Sequence, residues 1–403
     1  MKIFKKSEWK KVKLGDICEV ITGNTPSKKI KEYWDKDEVP FITPPELKYE
    51  GINYITPSIF VSKIGAKQGR IISKNSICVC CIGSLGKLGI LKEDSITNQQ
   101  INSLILKDKN IDLLYLYFYL KTIKNNLESI ASSTTVKIIN KSSFEKIEIS
   151  LPNLEIQKKI SKKLELLENN IDFRKNQLNY LKELNKSLFT RMFGDIKTND
   201  KNWKIKKFHE IISILTDYHA NGSYKILKDN VELLDFKEYA LMIRTTDLEN
   251  NNFIQGVKYI NEKAYNFLKK TKIFGGELII NKIGSAGNVY LMPYLNIPVS
   301  LGMNQFMIRL KKDYSNIFYY KLLTTEYYTN VIKSNVQGAV TKTITKEAIK
   351  NIDIIIPPIE LQNKFAERVE KIEKLKFEIE KSIEIAQNLY DSLISKYFDN
   401  LFL

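Results

Sequence analysis

The stretch nearest to a phosphate-binding loop is Gly83-Ser-Leu-Gly-Lys87. Glycines let a backbone bring its amides up to an anion, and a lysine adds charge. The nucleotide-loop spacing G-x-x-x-x-G-K-[ST] would need glycine where Cys81 stands and Ser or Thr where Leu88 stands, so that chemistry is excluded. A second loop, Gly284-Ser-Ala-Gly-Asn288, lacks the lysine as well. Two readings stay open for both loops: a tight strand-to-strand turn, or a turn whose amides, with Lys87 or Lys282 beside them, approach a nucleic-acid backbone.

Other reactive types are sparse. Cys78, Cys80 and Cys81 form a C-x-C-C cluster, but on a strand Cys78 and Cys80 share one face while Cys81 points to the other, so they read as buried thiols and not as a metal set. Four cysteines in 403 residues make no disulfide framework. The two histidines, His209 and His219, leave no basis for a histidine-dependent nucleophile in the first half of the chain. Glu46-Leu-Lys48 is a fragment of a nuclease pattern, yet its counterpart, Asp247-Leu-Glu249, has no lysine. Pro44-Pro45 and Pro357-Pro358 are followed by Glu46 and Ile359, which does not fit the catalytic tetrapeptide of an amino-methyltransferase. The expectation is therefore no catalytic residue, no metal and no cofactor in this chain.

What remains is charge. The 63 Lys and Arg against 46 Asp and Glu give a net charge of +17, and 43% hydrophobic residues exclude a disordered polyelectrolyte. A strongly basic folded chain without an enzyme motif favours polyanion binding, because neutralising phosphates releases counterions. Asn98, Gln99, Asn304, Gln305 and Arg244 are of the types that read base edges in pairs of hydrogen bonds, and Asn and Gln also close turns. The longest apolar run, from Leu113 to Leu120, is far short of the roughly 20 residues of a membrane span. The start of the chain has charges without the apolar segment of a secretory signal, so the expectation is a cytoplasmic protein.

These residues sit in a sequence that repeats itself. Trp9-Lys-Lys-Val-Lys-Leu returns as Trp203-Lys-Ile-Lys-Lys-Phe at an offset of 194, and Ile82-Gly-Ser-Leu-Gly86 returns as Ile283-Gly-Ser-Ala-Gly287 at 201. Asn98-Gln99 returns as Asn304-Gln305 at 206, and Leu151-Pro-Asn-Leu-Glu-Ile-Gln157 as Ile356-Pro-Pro-Ile-Glu-Leu-Gln362 at 205. Order is kept while the offset drifts, as insertions such as Asn250-Asn-Asn252 would cause. The body of each copy has short Ile/Val/Tyr runs broken by Gly, Pro, Asn and Ser, which predicts an α+β fold. Lys74–Ile82 and Gly276–Ile283 read as strands, Leu113–Leu127 and Ile317–Ile332 as helices.

Each copy ends in a heptad pattern. Ile160, Leu164, Leu167, Ile171, Leu178, Leu181 and Leu188 alternate in steps of 4 and 3, with Arg174 and Asn185 in the two remaining places. The second set is Phe365, Val369, Ile372, Ile379, Ile383, Ala386, Tyr390 and Leu393, with Lys376 as its polar exception. Such seams wind helices together, and a helix of about 35 to 40 residues carrying one is roughly 55 to 60 Å long at about 1.5 Å per residue. Pairing of the two helices with each other is the economical arrangement; the other is that each finds a partner in another protein.

Two variable α+β copies, each followed by a long heptad helix opened by Pro-x-x-Glu-x-Gln, resemble the DNA-specificity subunit of a type I restriction-modification enzyme. Trp9-Lys-Lys-Val-Lys-Leu-Gly-Asp16, Thr22-Gly-Asn-Thr-Pro-Ser27 and Leu188-Phe-Thr-Arg-Met-Phe-Gly-Asp195 carry the same resemblance, which covers essentially the whole chain. It implies two α+β target recognition domains in a pseudo-twofold tandem repeat, joined by a long two-helix antiparallel coiled coil. The boundaries would be 1–153 for the first recognition domain, 154–194 for the first helix, 195–357 for the second domain and 358–403 for the second helix.

Each domain would read one half of a bipartite double-stranded DNA site, and the helices would dock two modification subunits. Those subunits bind S-adenosylmethionine and methylate a flipped adenine; a further restriction subunit, using ATP and Mg, is left open. The second copy replaces Thr22–Ser27 with Asp217-Tyr-His-Ala-Asn-Gly222, so the two half-sites should differ. The expected DNA contacts are Arg70, Lys87, Asn98, Gln99, Thr134 and Lys137 in the first copy, and Arg244, Thr245, Lys282, Ser285, Asn304, Gln305, Gln337 and Lys342 in the second. The competing readings are a single-chain nuclease or methyltransferase with diverged motifs, and a coiled-coil protein adaptor whose charge follows from genome composition.

Overall fold

The computed structural model describes residues 9–131 and 136–398, apart from the side chains of Asn125 and Asn126. The chain forms two compact units, one of residues 1–179 and 378–403 and the other of residues 180–377. Both divisions fall inside long helices, so each unit holds the first part of one helix and the last part of the other.

Among the described residues the first unit contains three sheets. An antiparallel sheet has the spatial order Cys18–Thr22, Ile101–Leu106, Ile77–Cys80, Leu88–Ile90. A mixed sheet has the order Phe60–Val61, Val39–Ile42, Ser95–Thr97, Ile71–Ile72, and Lys10–Lys13 pairs with Glu148–Leu151. The second unit repeats all three: Ile212–Asp217, Gln305–Leu310, Leu278–Asn281, Val289–Leu291; then Lys258–Ile260, Ala240–Ile243, Val299–Leu301, Lys272–Ile273; and Lys204–Lys207 with Asp353–Ile356. The duplication read from scattered motifs is thus a duplication of strand order.

The central strand of each large sheet is buried on both faces, and its alternation sorts the side chains into two cores. Ile77 and Val79 join the core that carries helix Leu113–Thr122, while Cys78 and Cys80 join the core shared with the mixed sheet. In the second unit Leu278 and Ile280 take the first role and Ile279 the second. The helices expected over 113–127 and 317–332 are each split, into Leu113–Thr122 with Lys124–Ile130 and Asn316–Leu323 with Glu326–Ser334. In the second unit the break comes from Thr325, whose hydroxyl accepts the Tyr328 N–H and so starts a new helix.

The long helices run Leu154–Phe193 and Ile359–Phe398, 40 residues each. Their shared opening motif has a structural cause. Gln157 is buried, accepts the Asp112 N–H at 2.8 Å and donates to the Pro152 carbonyl at 2.8 Å. Gln362 does the same with the Ser315 N–H at 3.0 Å and the Pro357 carbonyl at 2.8 Å. A buried amide thus ties the start of each long helix to the loop before the body's own helix.

Within each unit the two long helices pack on each other and on the α+β body. In the first, Ile160, Leu164 and Ile171 share a core with Ala386, Tyr390, Tyr397 and Phe398, with Leu167, Ile383 and Leu393 at its margin. Lys121 forms a largely buried ion pair with Glu168 at 2.5 Å and lies over the Tyr390 ring. In the second, Asn185 donates to Glu373 at 3.2 Å and Phe193 meets Phe365 at 5.2 Å, so residues advancing along one helix meet residues receding along the other, an antiparallel pairing. Phe189, Phe193, Phe318 and Phe365 form one aromatic cluster there. Val369 and Ile372 are buried, and Leu178, Leu181, Leu188 and Ile379 are half-buried. Of the polar exceptions, Arg174 donates to Gln177, Asn185 to Glu373, and Lys376 pairs with Glu373.

Candidate nucleic-acid interface

In both units the strand that carries the buried core ends in the glycine loop, and the same backbone bonds hold that loop. In the first, the Cys81 N–H donates to the Gln100 carbonyl at 2.8 Å, Gly86 N–H to Cys80 at 3.0 Å, and Ile139 N–H to Cys81 at 2.9 Å. In the second, Lys282 N–H donates to Asn304 at 2.7 Å, Gly287 N–H to Asn281 at 2.8 Å, and Ile344 N–H to Lys282 at 3.1 Å. Gly83 and Gly284 have φ of 77° and 86°, with nothing within 4 Å of where a Cβ would stand. Glycine is required there by conformation and not by crowding, and the space in front of the loop is open.

A second loop lies alongside. In the second unit Gln337 and Thr343 exchange two backbone hydrogen bonds of 2.8 Å, closing a hairpin with an exposed tip in which Val340 is 97% accessible. Thr343 also bridges Ile283, which sets the hairpin that carries Gln337 and Lys342 alongside the strand end leading into the glycine loop. In the first unit Ile138 bridges Ile82, and the Gly83 N–H donates to the Lys137 carbonyl at 3.0 Å. Thr134 lies outside the described residues.

The remaining predicted residues fall into two groups. Lys87, Lys137, Lys282, Ser285, Asn304, Gln337 and Lys342 gather on or beside the two loops and are exposed or half-exposed. Lys87 and Lys124 stand over the Tyr49 ring at 5.6 and 4.3 Å, and Lys137 pairs with Glu128 at 2.8 Å. Arg70, by contrast, is exposed but donates to the Thr22 carbonyl at 2.6 Å, and Gln99 accepts from the Thr25 hydroxyl at 2.7 Å. Arg244 is committed to Asp247 at 2.7 Å and to the Gly256 carbonyl, beside the helix that begins at Thr245.

Two placements correct the sequence-based expectation. Asn98 is buried and closes a turn, accepting the Gln100 N–H at 3.1 Å; Gln305 is fully buried, its amide set between the Ile243 carbonyl at 3.1 Å and the Thr245 N–H at 3.3 Å. Both side chains face inward and shape the turn. The pairing of Asn98-Gln99 with Asn304-Gln305 is also out of register. Cys80 opposes Ile101 and Asn281 opposes Gln305, so the structural offset at this strand is 204 and Gln100 is the counterpart of Asn304. Asn304 takes a φ of 67°, a left-handed conformation that asparagine tolerates.

Sequence reasoning did not find Asp217 and Lys346. The Asp217 carboxylate binds Lys282 at 3.3 Å and Lys346 at 2.8 Å, and both ammonium groups flank the Phe306 ring. Burial opposes ionisation of Asp217, but hydrogen bonds and charge from Lys346 and Lys282 outweigh it and hold the carboxyl below its usual range.

The groups that suggested chemistry are otherwise engaged. Glu46 accepts from the Thr43 N–H and hydroxyl at 2.9 and 2.7 Å, a capping arrangement. The cysteines are buried and unpaired, and burial pushes the Cys78 and Cys81 thiols up to about 12. Among the described residues no group of three His, Cys, Asp or Glu side chains is placed to hold a metal ion, and no helix is long and apolar enough to cross a membrane.

Comparison with known proteins accounts for this geometry. The family model described as the type I restriction modification DNA specificity domain matches twice, over residues 6–183 and 200–387. A specificity subunit of the type I restriction enzyme MjaIX from Methanocaldococcus jannaschii is 27% identical over 412 residues, covering 96% of this chain and 92% of that relative. The HindI specificity subunit of Haemophilus influenzae is 36% identical over 159 residues, 38% of this chain and 34% of its own. The crystal structure of a type I S subunit from M. genitalium shares the fold, with a TM-score of 0.63 at 17% identity over 99% of this chain and 98% of that one. The family model covers both copies of the α+β body and most of each long helix, and the chain belongs to the type I restriction-modification DNA specificity subunits.

Proposed function

We propose that each α+β unit reads one half of a bipartite, asymmetric duplex site through the face formed by its glycine loop and the neighbouring loop. The observation that carries this is that the two loops are held by matching backbone bonds in both copies while their side chains differ. One scaffold with two sets of side chains is suited to two different half-sites. Lys87 and Lys137 in the first unit, and Lys282 and Lys342 in the second, contact phosphates; Ser285, Asn304 and Gln337 meet base edges. Arg70, Gln99, Arg244 and Thr245 flank that face, and Asn98 and Gln305 support it from beneath.

In this reading the long helices set the gap between half-sites and dock two modification subunits. Support for docking comes from apolar residues outside the seams: Leu166 and Phe173 are about 60% exposed in the first unit, and Phe377 is 67% exposed in the second. S-adenosylmethionine binds those partners, ATP and Mg bind any restriction subunit, and the assembly works in the cytoplasm.

The test is selection from random duplex DNA with the purified chain and its modification partners, together with methylation mapping in the host. A split motif with two unlike halves, and no turnover by this chain alone on adding S-adenosylmethionine or divalent metal, is the expected outcome. Turnover by the chain alone would favour the enzyme reading, and no enrichment would favour the adaptor.

A further inference from the structure

The second unit carries on its reading face a carboxylate shared by two lysines, at positions where the first unit has no carboxylate. Asp217 ends the edge strand of the large sheet, Lys282 leads into the glycine loop, and Lys346 opens the helix after the exposed hairpin. The three are 65 and 129 residues apart in sequence and meet at 3.3 and 2.8 Å. The Asp217 side chain is 12% exposed, whereas Lys282 and Lys346 are 31% and 37% exposed. Each ammonium therefore has one hydrogen anchored inward and others facing solvent. By strand register and by the loop bonds, the counterparts in the first unit are Thr22, Cys81 and Lys141. Thr22 hydrogen-bonds Asn102, Cys81 is buried, and Lys141 pairs with Glu145, so no shared carboxylate exists there.

Resting on the proposed function, we infer that Asp217 is a specificity-determining positioning residue that holds Lys282 and Lys346 as one clamp for a backbone phosphate and suppresses binding to DNA of the wrong sequence. Two unpaired lysines would present two positive charges to any phosphate, and their binding would be indifferent to sequence. With Asp217 between them the cluster carries a single net charge, and a phosphate must compete with the carboxylate for both ammonium groups. Only a duplex seated against the adjoining loops brings a phosphate to the point where both lysines can reach it without leaving Asp217. The carboxylate thus weakens random contacts more than seated ones, which is discrimination by a repulsive element.

The experiment measures affinity against salt for the full chain in complex with its modification subunits. The two probes are a random-sequence duplex and a duplex carrying the split motif selected by the wild type. Asp217→Asn should steepen the salt slope on the random duplex by about 0.9 and raise its affinity roughly three-fold at low salt, while the ratio of selected to random binding falls. Lys346→Gln, a change at a half-buried side chain that keeps a hydrogen-bonding amide, should move the random-duplex slope by about 0.9 in the opposite direction. The double variant should return random binding near the wild-type level. A folded Asp217→Asn protein that binds random DNA no better than wild type, or a Lys346→Gln protein with an unchanged slope, overturns the inference alone. A wild type that selects no motif overturns the proposed function as well.

Discussion

Replacing Gln362 by alanine or glutamate tests whether the doubled Pro-x-x-Glu-x-Gln motif exists to fasten the long helices to the α+β bodies. The side chain is 1% exposed and spans the Ser315 N–H and the Pro357 carbonyl. Alanine leaves both without their partner. A buried orphaned group costs about 1 to 3 kcal/mol, and Ser315 is half-buried where water reaches it in part, so the total should be roughly 2 to 4 kcal/mol.

Glutamate sharpens the test, because one carboxylate oxygen keeps the Ser315 bond while the other faces the Pro357 carbonyl. Burial and that lone-pair contact favour the protonated form, raising the folded-state pKa of the new carboxyl above its unfolded value near 4.3. The sign follows: the folded state holds the proton more tightly, so the variant is near wild-type stability in acid and loses stability as pH rises through the raised folded value. Denaturant unfolding followed by near-ultraviolet circular dichroism between acid and neutral pH reads both effects. An alanine variant within about 0.5 kcal/mol of wild type, or a glutamate variant with a flat difference across that range, would refute the assignment.

Other outcomes follow from the same geometry. Lys137→Ala and Lys342→Ala should each lower the salt slope of DNA binding by about 0.9 and weaken all sequences alike, in a fluorescence-anisotropy titration; a change in the selected motif instead would make them base readers. Inserting four residues into the first long helix makes a stutter in its heptad pattern, and motif selection should show a changed or lost gap with both half-sites intact; an unchanged gap would count against the helices as a ruler. Cys78 and Cys81, with thiols pushed up to about 12 by burial, should resist alkylation in the folded protein near pH 8 and react once it is unfolded. Rapid native-state labelling at either would contradict their placement.

Patterns that repeat along the chain were legible without coordinates. The heptad steps from Ile160 to Leu188 and from Phe365 to Leu393, the returning Trp9 and Trp203 motifs and the glycine loops are set by local periodicity and by backbone conformations that only certain residues adopt. Those constraints act over a few residues, so they survive in sequence as spacing. The apolar series Leu166, Phe173 and Tyr180 was equally visible, at steps of 7, but it lies beside the seam and its exposure shows only in the folded chain.

Register and burial were decided elsewhere. That Gln100, and not Asn98, matches Asn304 depends on which residues face each other across a ladder of hydrogen bonds. That Gln305 points inward depends on the Ile243 and Thr245 backbone closing over it. Asp217 and Lys346 are 129 residues apart and share no motif; only the packing of a strand end against a helix start brings their charges to 2.8 Å. Short-range preferences specify which elements form, while the identity of a side chain's neighbours is a property of the whole packed chain, because contact energies fall off within a few ångströms and say nothing about distance along the sequence.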